Sequence, residues 1–539
     1  MPLDTAMKAS MTNDVLGQIQ QLLSSLSTRS GLPTALIFFI ATLLLAVATW
    51  RLVRSAPEGL HVVVVWAVGL KELILLLLSI PAALAISLLT SLAPGFQTVS
   101  FGELLARWSG GSAGISNRVF TVMRAYVPNL YIPAWLLKRL NVKLEAYHHQ
   151  GIASITRWED VREVAARDEV FEVMYEPRMR DVTGGENFLL GMANTPRYTR
   201  DISNMRLVFR RDDQSSVRAD CEEQSRQKLT QLLQDERDES SNSQARFDVA
   251  ERLVWPIVAK VSLKYFGLTA ADPGDLSDVI SRQSDLFEYI FTDLTCKADL
   301  GTRVIKHAAP ENRDWLDKCI GERHAVHQSH ADLASCDSVL DRCLKLQASG
   351  TPGMTDLDIR NNLIGFLVGA LSPIANASLQ VLDVLLSNSE ALSHAQRAAR
   401  DDNNALLERC VIEALRFFPN DPVLYRRAVC DATIARGTWR ACHIPRDTMV
   451  FAWTSSAMFD STAVRKPFQF RLDRPEDEYF HFGFGQHTCA GLFLTKAMIP
   501  GLLKPLLQQP QLRRAPGKDG QLDRGKTHFV QHLWIETSC

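Results

Sequence analysis

Phe482-Gly-Phe-Gly-Gln-His-Thr-Cys-Ala-Gly491 runs straight into Leu492-Phe-Leu-Thr-Lys-Ala-Met498, whose apolar residues recur at helical spacing. The glycines let the backbone turn tightly, and the turn delivers Cys489 to a helix N-terminus. Free backbone N–H groups and the helix dipole at that position stabilise a thiolate. Working outward, Phe470-Arg-Leu-Asp-Arg474-Pro475 lies just upstream, and Glu413-Ala-Leu-Arg416 falls within a helical pattern from Leu406 to Phe418. This spacing sets Glu413 and Arg416 on one helix face, although such a pair at a surface is worth little. Between the two segments, Arg426-Arg-Ala-Val-Cys-Asp431 and Ile444-Pro-Arg-Asp-Thr448 have the strand-and-turn character of a small sheet.

From about Tyr147 onward the helical period dominates. Apolar stripes run over Trp158–Ala166, Asp201–Phe209, Asp248–Phe266, Asp356–Leu386, Asn403–Phe418 and Leu492–Leu507. Strand-like pieces are short and lie mainly in 423–453, which predicts a mainly α fold with small β-sheets over residues 146–539. The polar patch Asp235 to Ser243 reads as a solvated loop. At 539 residues and 46% hydrophobic, the chain can bury one large core and carry an appended region. Lys and Arg number 59 against 60 Asp and Glu, so no global field recruits nucleic acid. The cysteines are scattered, without the paired spacings of a zinc site or a compact disulfide framework. A reducing, cytosol-facing compartment is expected.

The apolar sequence is concentrated near the start. After a polar leader over 1–32, Pro33 to Trp50 and Leu73 to Ala93 are uncharged runs. A bilayer-spanning helix needs about 20 apolar residues, so 33–94 is expected to be a membrane anchor of two helices. The polar leader argues against a cleaved signal peptide. Arg51 and Arg54 compete with Arg107, Arg118 and Arg124 in setting orientation, which stays open. Residues 95–145, with Ser109-Gly-Gly-Ser-Ala-Gly114, read as a linker with amphipathic pieces.

The thiolate loop resembles the heme loop of the cytochrome P-450 family, F-x-x-G-x-x-x-C-x-G with a basic residue two before the cysteine. The resemblance extends over Tyr147 to Cys539. It implies that Cys489 is the axial ligand of a heme b iron (iron protoporphyrin IX), that His487 faces a heme propionate, and that Phe482 packs on the proximal side of the ring. An anionic sulfur pushes electron density to the iron and favours O–O cleavage. The resemblance also makes Glu413, Arg416 and Arg474 a buried network that braces the loop, and Arg426 a propionate partner through bidentate pairing. Pro196-Arg-Tyr-Thr-Arg200 and Met205-Arg-Leu-Val208 are similar to the helix that clasps the propionates from the other side. There Arg206 is a candidate partner, and Tyr198 stands nearest the family's usual His or Trp.

One stretch departs from the pattern. The distal helix of the family carries A/G-G-x-Asp/Glu-Thr above the heme, and the matching Gly369-Ala-Leu-Ser-Pro373 puts Ser372 and Pro373 where the acid and threonine belong. A register shifted by one puts Leu371 and Ser372 there. Gly369 stays as the small residue over the ring, and Pro373 is expected to kink the helix. Acid catalysis then falls to Ser372 with water, or to no side chain. Asn376, Asn361 and Asn362 are further residues that could hydrogen-bond a peroxide, and Glu186 in Gly184-Gly-Glu-Asn-Phe188 could supply an acid. The resemblance implies a membrane-bound monooxygenase, an oxidoreductase that inserts one oxygen atom from O2 into a hydrophobic or lipid substrate with electrons from a separate reductase. The alternatives are a peroxide-using or hydroperoxide-rearranging enzyme, and a non-catalytic heme-binding protein. The expected location is a membrane with the catalytic domain facing the cytosol, the endoplasmic reticulum in a eukaryote. Deleting residues 1–94 should move the protein from the membrane pellet to the supernatant with its heme domain intact. Continued sedimentation at low and high salt would place another inserting surface within 95–145.

Overall fold

Gly151-Ile-Ala-Ser-Ile155 buries alternate side chains completely, the period-2 pattern of a strand between two unlike environments. Thr448-Met-Val-Phe-Ala452 is buried at every position, as a central strand covered on both faces must be. The computed structural model describes residues 129–139, 147, 149–239, 244–269, 273–329 and 337–538. The expected leader and membrane anchor, and most of the expected linker, lie outside the described residues. The described strands are β1 (Leu130–Pro133), β2 (Gly151–Ile155), β3 (Phe171–Glu172), β4 (Gln244–Asp248), β5 (Leu424–Ala428), β6 (Ala432–Ile434), β7 (Cys442–Ile444), β8 (Thr448–Ala452), β9 (Arg513–Arg514) and β10 (Trp534–Ser538). They form sheets of order β1-β2-β8-β5-β3, β4-β10-β9 and β6-β7. β8 runs parallel to β2 and antiparallel to β5.

Most of the remaining fold is helical. Six helices position the site: α1 (Trp158–Ala166), α2 (Pro196–Val208), α3 (Gln214–Glu239), α4 (Asp356–Ser387), α5 (Asn404–Phe417) and α6 (Leu492–Leu507). α4 begins at a capping box in which the Thr355 hydroxyl accepts from the Asp358 amide and the Asp358 carboxylate accepts from the Thr355 amide. It then continues unbroken through Pro373 to Ser387. α4 and the segment Gly485–Leu507 are long and apolar enough to cross a membrane, yet most of each is buried in the protein. They are core helices.

α3 and α6 pack along one another, and the sequence of α6 explains how. Pro500 has no N–H to give the Lys496 carbonyl one turn back. Arg218 of α3 donates to that carbonyl instead, at 2.8 Å. Two turns on, the Ser225 hydroxyl donates to the Leu502 carbonyl at 2.7 Å. Between them Gly501 lets the backbones touch, since a Cβ there would lie 2.7 Å from the Arg218 carbonyl oxygen. Phe209, at the end of α2, stacks on Phe366 of α4 and meets Phe493 of α6 edge-on, with centroids 4.8 and 4.9 Å apart.

Two sequence expectations need correction. Folded structure begins by residue 129, inside the expected linker, because Leu130–Pro133 is an edge strand hydrogen-bonded to β2. The patch expected to be a loop from Asp235 is helical as far as Glu239, since Leu229 and Leu232 are buried just before it and carry the helix forward. Gly501→Ala should cost about 1–3 kcal/mol, the usual penalty of overpacking, read as a lower midpoint in urea unfolding. An unchanged midpoint would mean that α3 and α6 are free to part.

Candidate active site

The thiolate loop is shaped by two glycines in the left-handed region, Gly483 (φ 76°) and Gly485 (φ 70°), where side chains are strained. Between them and α6, the Cys489 amide donates to the Phe482 carbonyl at 2.8 Å and the Leu492 amide to the Cys489 carbonyl at 3.3 Å. Cys489 is accessible to water because it lines a cavity, yet protein encloses it on the remaining sides. Burial therefore pushes its thiol upward, and the Gly491 amide offsets this only in part. The helix N-terminus alone does not make the sulfur anionic; a bound cation deprotonates a coordinating thiol.

Behind the loop lies the charge network. Glu413 and Arg416 are wholly buried. The Glu413 carboxylate accepts from Arg416 Nε and Nη2, Arg474 Nε, the Arg471 amide and the Tyr479 hydroxyl, at 2.9–3.1 Å. Arg416 donates further to the Met458 and Gln469 carbonyls, and Arg474 to those of Arg465, Lys466 and Gln469. Burial pulls the Arg416 guanidinium down from its ordinary value and the Glu413 carboxylate pulls it back. The expected triad is assembled, with Tyr479 as a member that no motif signalled.

In front of the loop, the cavity encloses about 1110 Å³ free of protein atoms, part of it open to solvent. Its polar rim holds Arg426, His487 and Tyr198. Arg426 is buried, donates from Nη1 to the Tyr425 carbonyl, and has no partner for Nε among the described residues. The His487 ring lies tilted 4.9 Å from that of Tyr198, whose hydroxyl donates to the Gln486 carbonyl, and its Nε2 is 3.9 Å from Asp168. Burial and then Arg426 push His487 down to about 4. Nearby carboxylates would raise it again.

The ceiling comes from the 184–191 loop and α4. Asn362, Gly365, Phe366, Gly369, Ala370 and Ile374 share the cavity face at helical spacing. The Phe188 ring lies so close on α4 that a Cβ at Gly365 would be 2.2 Å from it, whereas a Cβ at Gly369 would meet nothing within 4 Å. That places open space above the ring site.

Several expected site residues lie elsewhere. Ser372 is fully buried and hydrogen-bonded to Ser284 at 3.0 Å; helical phase turns it from the cavity. Asn376 is also spent: its amide donates to Asn420 at 2.7 Å and its carbonyl accepts from the Val530 amide at 3.1 Å. Neither lines the cavity. Arg206 is exposed and does not line the cavity, although its charge is felt by Tyr198 at the rim. Phe482, by contrast, lies on the side of the loop away from the cavity, where it lines a groove with Phe480 and Phe484, the proximal side on which it was expected. Glu186 is half-exposed, 3.6 Å from Arg197. Sequence reasoning missed Asp168 and Asp421. Burial pushes the Asp421 carboxyl up to about 7, eased only by the Val423 amide. No motif marks either residue.

An accessible sulfur, open space above it, and at one rim a guanidinium whose Nε has no partner among the described residues beside an imidazole fit a flat iron chelate with anionic side chains. The fold and site therefore define a heme-thiolate protein, in which Cys489 would ligate the iron while Arg426 and His487 hold the propionates. The chain belongs to the cytochrome P450 family, whose model (Cytochrome P450) matches residues 142–532. It is an oxidoreductase.

Among solved structures, substrate-free CYP109E1 from Bacillus megaterium shares the fold with a TM-score of 0.60 at 17% identity, over 78% of this chain and 97% of the other. Among curated relatives, Psi-producing oxygenase A of Emericella nidulans is 34% identical over 265 residues, 46% of this chain and 24% of that protein. Linoleate diol synthase of Gaeumannomyces graminis is 26% identical over 226 residues, 40% of this chain and 19% of that protein. A bifunctional dioxygenase–epoxy alcohol synthase of Fusarium oxysporum is 28% identical over 179 residues, 32% of this chain and 14% of that protein. The chain thus matches a quarter or less of each of these relatives' length.

Glu413→Ala and Arg416→Ala should each cost about 3–5 kcal/mol by stranding a buried charge, and should yield protein that loses heme. Full heme occupancy with only a kinetic defect would contradict the bracing role. Because the folded state raises the Asp421 pKa, its contribution is fully present below the unfolded carboxylate value and is lost as pH rises through about 7. Asp421→Asn should therefore raise the melting temperature at pH 8 more than at pH 4. A pH-independent difference would show that Asp421 is ionised in the fold.

Proposed function

We propose that the domain rearranges hydroperoxides of long-chain unsaturated fatty acids, with heme b held through Cys489 and no electrons drawn from a reductase. The observation that carries this reading is the face α4 turns to the cavity, which offers neither a carboxylic acid nor a hydroxyl. Activating dioxygen needs protons delivered to the distal oxygen, which is general-acid work. Ser372, expected to assist, is committed to Ser284. A hydroperoxide arrives already reduced and protonated. Its conversion to an epoxy alcohol is an isomerisation: the O–O bond breaks, one oxygen closes an epoxide, the other ends as a hydroxyl, and no external electron enters.

Bound heme supplies thiolate-backed O–O cleavage. The protein's own residues do the rest. Arg426 and His487 would hold the anionic edge of the cofactor, and Phe188, Phe291, Phe366 and Leu424, which line the cavity, would exclude water and align an acyl chain. The names of the relatives, linoleate diol synthase and dioxygenase–epoxy alcohol synthase, support a fatty-acid substrate. A membrane anchor over 33–94 would set the domain at a cytosolic membrane face, where such substrates partition.

A second reading, insertion of one oxygen atom from O2 with a separate reductase, is favoured by the groove behind the thiolate loop. That groove is lined by Phe482, Phe484, Glu476 and Lys496 and leaves the proximal side open to a partner. Anaerobic incubation with a linoleic acid hydroperoxide labelled in both peroxide oxygens decides between the two. Without reductant, an isomer keeping both labels is expected, and Cys489→Ser should abolish both this product and the red-shifted Soret band of the ferrous carbon monoxide complex. An untouched hydroperoxide, alongside oxygenation driven by O2 and a nicotinamide-dependent reductase, would overturn the proposal.

A further inference from the structure

Four side chains with a hydroxyl group line the cavity: Tyr175, Tyr198, Thr488 and Thr495. Three of them spend their hydrogen inside the protein. Tyr198 donates to the Gln486 carbonyl at 2.8 Å, Thr488 to that of Gly485 at 2.8 Å and Thr495 to that of Gly491 at 3.3 Å. The Tyr175 hydroxyl makes no hydrogen bond among the described residues, and its oxygen is not one of those sealed inside the protein. The side chain is half-buried and reaches the cavity. Tyr175 stands at the start of the helix Glu176–Thr183 and gives that helix no side-chain cap. Its ring meets Phe291, another lining residue, edge-on at 4.8 Å, a contact that holds the phenol in place. Burial and then Asp421 push this phenol well above its ordinary value, and Arg426 relieves the shift only in part. Such a group keeps its proton and acts as a hydrogen-bond donor, not as an acid.

We propose that Tyr175 is a catalytic residue of the cavity: its O–H donates a hydrogen bond to the carbon-bound oxygen of the hydroperoxide and steers that oxygen onto the neighbouring double bond. This inference rests on the hydroperoxide reading above and adds the side chain that controls its outcome. As the O–O bond breaks, the carbon-bound oxygen forms its second C–O bond and the terminal oxygen ends as a hydroxyl on the chain. Tyr175 keeps its proton throughout, and no electron leaves its ring. Val173 and Phe291 on the same wall are apolar and offer no donor. A substrate oxygen placed among them without the phenol would have lost its water and gained no partner, which is costly. With the phenol, that oxygen is held to one position while it reacts.

The test compares the full-length ferric holoprotein with Tyr175→Phe, which keeps the ring and removes only the hydroxyl. Probes are linoleic acid and a positional panel of its keto derivatives, whose carbonyl accepts a hydrogen bond but cannot turn over as a hydroperoxide. Dissociation constants are read from the Soret spectrum, and the carbonyl stretch of the bound keto derivative from infrared difference spectra. The best keto derivative is expected to bind roughly tenfold more weakly to the phenylalanine variant, with linoleic acid unchanged. Its carbonyl stretch should lie lower in wild type than in the variant. With linoleic acid hydroperoxide, kcat/KM should fall by a similar factor and the epoxy alcohol should lose stereochemical purity. An equal stretch in the two proteins would overturn the assignment. Equal loss of affinity for linoleic acid would assign the hydroxyl to the acid head group, and loss of heme would assign it to the cofactor's anionic edge; either result overturns the proposal. Should the variant fail to fold, a wild-type stretch no lower than that of the same ligand in hydrocarbon solvent would do so. A lowered stretch without hydroperoxide turnover would sink the proposed reaction and leave the Tyr175 donor in place, and the converse pattern would do the reverse.

Discussion

A guanidinium with no exposed surface cannot be left alone, and much of this domain is arranged around Arg416 accordingly. Glu413 neutralises it from one turn away, and Arg474 returns from a later segment to share the same carboxylate. The carbonyls that Arg416 and Arg474 also engage belong to residues 458–469, an irregular stretch with little regular hydrogen bonding of its own. Charge-assisted bonds are strong and geometrically demanding, so they can fix such a stretch where sheet or helix ladders do not. The thiolate loop follows directly. Its sulfur is held by a backbone that is itself anchored to a buried ion network.

The cavity in front of the loop divides its labour by polarity. The polar groups lie at the rim, with Arg426, His487 and Tyr198, and the ceiling is aromatic and aliphatic with a single amide. This division suits a cofactor with one anionic edge and a substrate that is mostly hydrocarbon. It also explains why the distal helix can carry Pro373 at all: α4 is buried and packed against α5 and α6, and tertiary contact outweighs the lost helical bond.

The parts legible from sequence were those in which residue identity and spacing act together. Cys489 in its glycine loop, Glu413 with Arg416, and the helices at Trp158–Ala166 and Leu492–Leu507 could all be read directly. Facing could not. Ser372 and Asn376 stand in the right stretch of α4, but the rotational phase of a buried helix is set by its neighbours, and both turn toward other protein groups. Arg206 on α2 instead points to solvent. Strand β1 was hidden because four residues ending in proline carry little signal on their own. Asn362 and Asp421 gain their character only from burial, which a sequence does not display.

The pairing of β4 with β10 has a kinetic consequence. The Leu533 amide, just before β10, bonds Asp248 at the end of β4, partners 285 positions apart. Such contacts close late, because the chain between them must be ordered before their hydrogen bonds repay the lost entropy. During synthesis β4 emerges with both edges unpaired, and an unpaired edge is a template for association with other chains. The small sheet β4-β10-β9, like the pairing of β2 with β8, is thus completed only when the last part of the chain is in place.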